Sequence, residues 1–105
     1  MSHTEQHLET VTFRPDGDVV ASQIPALRAE LFTLLEQGVK YLIVDLQRVT
    51  MVDSSGLGLL IALHNALKER GGALTVTHAS ADLCQLFRIM RLDRHFTILG
   101  EEGAS

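Results

Sequence analysis

The run Tyr41-Leu42-Ile43-Val44-Asp45-Leu46 is nearly continuously apolar and too short to form a helix of its own. Stretches with helical spacing of apolar residues lie on both sides of it. Parallel strands need long crossover connections, which are usually helices, and both faces of such strands tend to be buried. The run therefore predicts a buried central strand in an α/β fold.

The first helix is predicted directly before this strand. Its apolar positions recur at helical spacing, and they are Ile24, Leu27, Leu31, Leu34 and Leu35. Ser22 is the expected N-cap, and Pro25 falls in the first turn, where its missing N–H costs nothing. Gly38 is the expected stop.

The other elements alternate in the same way along the chain. Strands are predicted near residues 10–14, 73–77 and 96–99, and a short extended piece at 49–52 leads into a helix at 55–70 that ends at Gly71-Gly72. A third helix follows Ser80. This order predicts a mostly parallel or mixed sheet of about four to five strands with helices packed against it.

The length of 105 residues allows one domain, spanning 1–105, with a core at about 8–100 and polar tails at 1–7 and 101–105. Hydrophobic residues make up 46% of the chain, enough for a core of aliphatic side chains.

Composition and charge disfavour several classes of function. A net charge of −4 with scattered basic residues argues against nucleic-acid binding. No apolar run reaches the roughly 18 residues of a membrane span, and the N-terminus lacks a signal-peptide pattern. The single cysteine, Cys84, needs no oxidising compartment, so we expect a cytoplasmic protein without membrane insertion. The five histidines are isolated or terminal, and neither a metal nor a cofactor is expected.

The segment Asp53-Ser54-Ser55-Gly56 contains the polar side chains that are most informative about function. Asp53 precedes a predicted helix, so its carboxylate can accept from the free N–H groups of the first turn. Ser54 then lies at the helix start, on the carboxyl edge of the sheet. A phosphate on Ser54 would meet backbone donors there, while its charge would disturb a partner docked at this edge.

One stripe of the same helix suits docking. Leu60, Leu63 and Leu67 are expected to face the sheet. Small and apolar side chains fall near Ser54 on a different stripe, and we predict that these residues bind a partner: Leu57, Gly58, Ile61, Ala62 and Asn65.

The motif Asp53-Ser54-Ser55-Gly56-Leu57-Gly58, with the strand ending Val44-Asp45-Leu46 before it and Gly71-Gly72 after it, resembles the STAS domain of bacterial anti-sigma factor antagonists. The likeness covers most of residues 17–99 and implies the STAS fold. It also implies a binding protein that is not an enzyme. In that family the unphosphorylated antagonist binds an anti-sigma factor that is also a serine kinase. Phosphorylation of the first motif serine, here Ser54, releases it, and a PP2C-type phosphatase restores binding. Ser55 and Gly56 would form the surroundings of that serine.

Alternative functions remain open beside this one. The family often carries an acidic residue where this chain has Val20, so the final target could differ from a sigma factor. A constitutive STAS subunit, for example of a phospholipid transporter, would use the same helix without phosphorylation. A serine hydrolase is disfavoured, because Asp-Ser-Ser-Gly lacks the Gly-x-Ser-x-Gly elbow.

Overall fold

The computed structural model describes residues 3–7 and 9–100. This part of the chain forms five strands and three α-helices: β1 (His3–His7), β2 (Thr10–Arg14), α1 (Ile24–Glu36), β3 (Tyr41–Asp45), α2 (Ser54–Glu69), β4 (Ala73–Ala79), α3 (Ala81–Ile89) and β5 (Thr97–Gly100). Short 3-10 turns at Ala21–Gln23 and Leu92–Arg94 precede α1 and β5. The predicted alternation of strands and helices from β2 to β5 is confirmed.

The strands are ordered in the sheet as they are in the chain. β1 is antiparallel to β2, and the other neighbours are parallel. Parallel crossovers are right-handed in nearly all proteins, and here each one moves a single strand in the same direction. All three helices therefore cover one face of the sheet. The side chains beneath them are buried, and they include Val11, Phe13, Leu42, Val44, Leu74 and Val76.

The opposite face of the sheet, which we call the open face, carries none of the helices formed by residues 3–7 and 9–100. Its side chains alternate with the buried ones and are those of Thr10, Thr12, Arg14, Tyr41, Ile43, Asp45, Ala73, Thr75, Thr77 and Thr97. β3 is central and parallel to both neighbours, as predicted. The described residues cover its helix side fully but its open side only in part, since Ile43 is half-buried and Tyr41 is 45% exposed.

Two helix boundaries follow the sequence signals directly. Gly38 after α1 and Gly71 after α2 adopt the positive φ angles of 98° and 78° that a helix stop favours. Ser80 caps α3, since its hydroxyl accepts from the Leu83 N–H at 3.2 Å. The ends of α1 and α2 at Gly38 and Gly71 determine where β3 and β4 begin.

Two expectations are wrong in detail. His3–His7 form an edge strand and not part of a polar tail, because an antiparallel edge strand needs backbone pairing but little apolar patterning. Ser22 does not cap α1. It lies inside the 3-10 turn, and Gln23 occupies the cap position without a side-chain bond. The predicted tail at 101–105 and residues 1, 2 and 8 lie outside the described residues.

Candidate functional site

The site is built at the N-terminus of α2. The chain leaves β3, passes through a loop, and forms an isolated parallel bridge between Val52 and Val19. Asp53 then adopts an extended conformation, and its Oδ1 accepts from the Gly56 N–H at 2.9 Å. This is the N-cap predicted from the sequence, and it places Ser54 as the first residue of the helix.

Asp53 also binds a second element. Its Oδ2 accepts from the Ala21 N–H at 2.9 Å, at the start of the 3-10 turn that leads into α1. The hydrogen bonds from Gly56 and then from Ala21 lower the pKa of the Asp53 carboxyl below its ordinary value of 3.8. One carboxylate therefore caps two helical segments and remains ionised at neutral pH.

Asp18 holds the loop before α1 against the loop before α2. Its Oδ1 accepts from the Thr50 N–H at 2.9 Å, from the Thr50 hydroxyl at 2.9 Å and from the Met51 N–H at 3.1 Å. Bonds from Thr50 and Met51 lower the pKa of the Asp18 carboxyl as well. The Val19 N–H donates to the Met51 oxygen at 3.0 Å, which closes the junction. The two loops form one surface beside Ser54.

At Gly56, α2 lies in close contact with this junction. A Cβ at Gly56 would lie 2.2 Å from the Val19 carbonyl oxygen and 2.8 Å from Val52 Cγ1. Only glycine permits that approach. Ser54 and Ser55, the two residues directly before Gly56 in the helix, are both exposed to solvent.

The predicted partner stripe lies mostly on the surface. Gly58, Ile61 and Asn65 are exposed, and Ala62 is half-buried. Leu57 is different, because it is 8% exposed and belongs to the core cluster. It precedes Leu60 by three residues and therefore shares its inward face. Leu57 therefore packs mainly in the core of the free domain, and its predicted contact with a partner stays a prediction.

One apolar side chain near the site was not singled out from the sequence. Met51, two residues before Asp53, is 58% exposed, and Ile61 on α2 is 40% exposed. Periodicity could not identify Met51 because it lies in a loop. Met51 lies next to the junction held by Asp18 and Asp53, and it therefore belongs to the surface around Ser54.

The histidines are less isolated than the sequence suggested. The rings of His64 on α2 and His95 are 5.7 Å apart, and His78 contacts Asp45. Across residues 3–7 and 9–100, no group of three or more His, Cys, Asp or Glu side chains is placed to hold a metal ion. None of the helices in this described part of the chain is long and apolar enough to cross a membrane.

Comparisons with known proteins agree on one family. The STAS domain profile matches residues 2–103. The anti-sigma-B factor antagonist of Bacillus subtilis (strain 168) is 36% identical over 76 residues, which cover 72% of this chain and 69% of that protein.

Two solved structures of a Bacillus anti-sigma factor antagonist, SpoIIAA, have the same fold. The unphosphorylated form superposes with a TM-score of 0.81 at 25% identity, covering 97% of this chain and 90% of that one. The phosphorylated form has a TM-score of 0.74 at 24% identity, covering 97% and 94%. The likeness thus extends over nearly the whole chain.

Proposed function

Since the chain belongs to the STAS domain family, we propose that it is an anti-sigma factor antagonist whose partner binding is switched by phosphorylation of Ser54. The observation that carries the proposal is the position of Ser54. It is exposed at the first residue of α2, next to a fixed carboxylate and beside an exposed small and apolar stripe. It acts in this proposal as a binding protein in the cytoplasm and not as an enzyme.

The relatives support the two states of such a switch. The Bacillus subtilis relative is named an anti-sigma-B factor antagonist, and SpoIIAA has been solved in unphosphorylated and phosphorylated forms. By this resemblance the partner of the unphosphorylated chain is an anti-sigma factor with serine kinase activity. A PP2C-type phosphatase would reverse the modification.

The local geometry favours repulsion of a partner over unfolding of the domain. A phosphate adds a charge of about −1.5 to −2, and backbone N–H groups at a helix start tolerate it. Asp53 cannot swing away from that charge without breaking its bonds to Gly56 and Ala21. The phosphate and the Asp53 carboxylate therefore present a joint negative surface to any partner docked on α2.

The loop before α1 affects which partner fits. Val20 is half-buried, and the family resemblance implies an acidic contact residue at this position in many members. It lies beside the Asp18 and Asp53 junction, so it would contact the same partner as Ser54. A cognate kinase with a less basic surface at this point is the expected consequence.

The first experiment maps phosphate on the protein purified from its native cells under growth and stress, using intact and fragment-ion mass spectrometry. We expect one phosphate on Ser54, absent from Ser54→Ala and retained in Ser55→Ala. No phosphate under any condition would instead favour a constitutive binding subunit.

A second experiment tests binding directly by co-purification with tagged variants. Ser54→Ala should retain the kinase partner, and Ser54→Asp should lose it by at least about tenfold, because a fixed negative charge opposes docking. Ser55→Asp is the matched control for charge at the same helix end. Equal loss with both aspartates would contradict the assignment to Ser54.

A further inference from the structure

A second group of charged side chains lies on the open face, on the opposite side of the sheet from α2. Arg14 ends β2, Asp45 ends β3, and His78 lies near the end of β4. These strands are neighbours and parallel, so their carboxyl ends meet at one edge of the sheet. Ligands of α/β folds bind at that edge. The switch proposed for Ser54 uses none of the three residues.

Asp45 holds the other two side chains in place. Its side chain is 4% exposed, and its Oδ2 accepts from Arg14 Nε at 3.0 Å. Its Oδ1 accepts from the Gln47 N–H at 2.9 Å and lies 3.3 Å from His78 Nδ1. Both carboxylate oxygens are therefore occupied, and the guanidinium and the imidazole are anchored on the two sides of one buried group.

His78 reaches this face because its backbone adopts an energetically unfavourable conformation. By strand alternation, residue 78 would point toward the helices with Leu74 and Val76. The register between β4 and β5 shifts between Val76 and Ala79, and His78 adopts a positive φ of 56°. Such a conformation is unfavourable for a residue other than glycine and is often found at functional sites. The Arg14–Asp45 ion pair does not require it.

We propose that Arg14 and His78 form a binding site for a small oxyanion of the phosphate class, with Asp45 as the positioning residue behind them. Arg14 is bonded to Asp45 through Nε, which leaves the terminal guanidinium nitrogens to donate. Nδ1 of His78 lies 3.3 Å from Asp45 Oδ1 and 3.2 Å from Thr77 Oγ1, which leaves Nε2 as the ring nitrogen that can donate to an anion when the ring is charged. The side chains of Arg14 and His78 are 24% and 39% exposed, so a small ion can reach them.

The surroundings fit an anion better than a metal ion. An arginine repels a cation, and the described residues provide no cluster of three or more metal-binding side chains. The Arg14 guanidinium and the His78 imidazole share the Asp45 carboxylate within the described part of this cluster. The hydroxyl-bearing Thr12 and Thr77 flank them on the same face, and Thr77 Oγ1 lies 3.2 Å from His78 Nδ1.

The test is a titration of the isotope-labelled full chain with inorganic phosphate, followed by NMR at about pH 6, where imidazole side chains are commonly protonated. Sodium chloride at matched ionic strength is the control for screening. We expect saturable shifts at the Arg14 and His78 side chains in the millimolar range and none with chloride.

Two conservative variants separate binding from folding. Asn tolerates a positive φ and can still donate to Asp45, so His78→Asn should fold normally and bind phosphate at least about tenfold more weakly. Arg14→Lys keeps the charge but loses the guanidinium fork, and it should also weaken binding. Arg48→Gln is the matched control, because Arg48 follows β3 at the same edge but pairs with Asp16 at 2.8 Å.

The outcomes are decisive in either direction. Weaker binding in the first two variants with unchanged binding in Arg48→Gln supports the site. The proposal is overturned by shifts that chloride reproduces, by the absence of saturable shifts, or by equal phosphate affinity in His78→Asn and the unmodified chain.

Discussion

Gly56 and Gly58 lie two residues apart on α2 and meet different surroundings. A Cβ on Gly56 would collide with the Val19 backbone, whereas one on Gly58 would have no atom within 4 Å. Gly56 is therefore required by the close approach of α2 to the junction. Gly58 is not required by the fold, although glycine inside a helix weakens it. Under the proposed function, a partner backbone approaches this exposed position, where a side chain would obstruct it.

Alanine substitutions at these two glycines should have opposite effects on stability. Gly56→Ala should lower the free energy of unfolding by about 1–3 kcal/mol, because the methyl group is forced against Val19 and Val52. Gly58→Ala should raise it by about 0.5–1 kcal/mol through helix propensity. Urea denaturation followed by circular dichroism measures both.

The same pair of variants tests the proposed partner surface. Gly58→Ala should weaken co-purification of the partner although the domain becomes more stable, because the added methyl group occupies the docking stripe. A Gly58→Ala variant that binds its partner normally would remove Gly58 from that surface.

At the scale of elements, α2 contacts the segment before β5 through His64, His95 and Phe96. The ring of His64 lies 5.7 Å from that of His95 and 5.8 Å from that of Phe96. Burial first, and then the charges of His95 and Lys68, lower the pKa of His64 from its ordinary value of 6.5. The folded protein therefore disfavours protonation of His64 at this contact.

This contact predicts a pH dependence of stability. The unfolded chain binds a proton on His64 below about pH 6.5, while the folded chain does so only at lower pH. Stability is full above pH 6.5 and falls as the pH is lowered through that value. His64→Gln should reduce this loss between about pH 7 and pH 5.5, measured as melting temperature against pH.

Lys68→Gln is the control for that prediction. It removes only the smallest of the three causes and should change the pH profile less than His64→Gln does. If acidification lowers the melting temperature of the unmodified chain and of His64→Gln by the same amount, the contact does not oppose protonation of His64.

At the scale of the whole molecule, β1 covers an edge that would otherwise be open. β2 pairs with β1 on one side and with β3 on the other, and its Val11 and Phe13 are 0% exposed. Removing β1 would turn β2 into an edge strand with a row of unpaired backbone groups. β1 therefore contributes backbone pairing, and with it stability, to the β2 side of the sheet.

Deletion of residues 1–8 should lower the melting temperature and cause concentration-dependent association. The physical reason is that the uncovered edge of β2 can pair with another chain. Size-exclusion chromatography with light scattering over a range of protein concentrations measures the association. A truncated chain that stays monomeric and melts as the full chain does would show that β1 adds nothing to the fold.

Much of the fold could be predicted from the sequence because its signals act over a few residues. Helical spacing, the glycine stops and the Asp53 cap define α1, α2 and α3, and the position of Ser54 at the helix start follows from them. The edge strand β1 was missed, since pairing along an edge leaves little apolar pattern in the sequence.

The sequence by itself thus determined the element types and order from β2 to β5 and the chemistry of the α2 start, since periodicity and capping operate within about one helical turn. Only the tertiary structure decided which distant residues meet. It joined Asp53 to Ala21, buried Leu57, and placed Arg14 and His78 on the two sides of Asp45. These contacts depend on the order of strands in the sheet, and the position of His78 depends in addition on its positive φ angle. Neither feature leaves a local pattern in the chain.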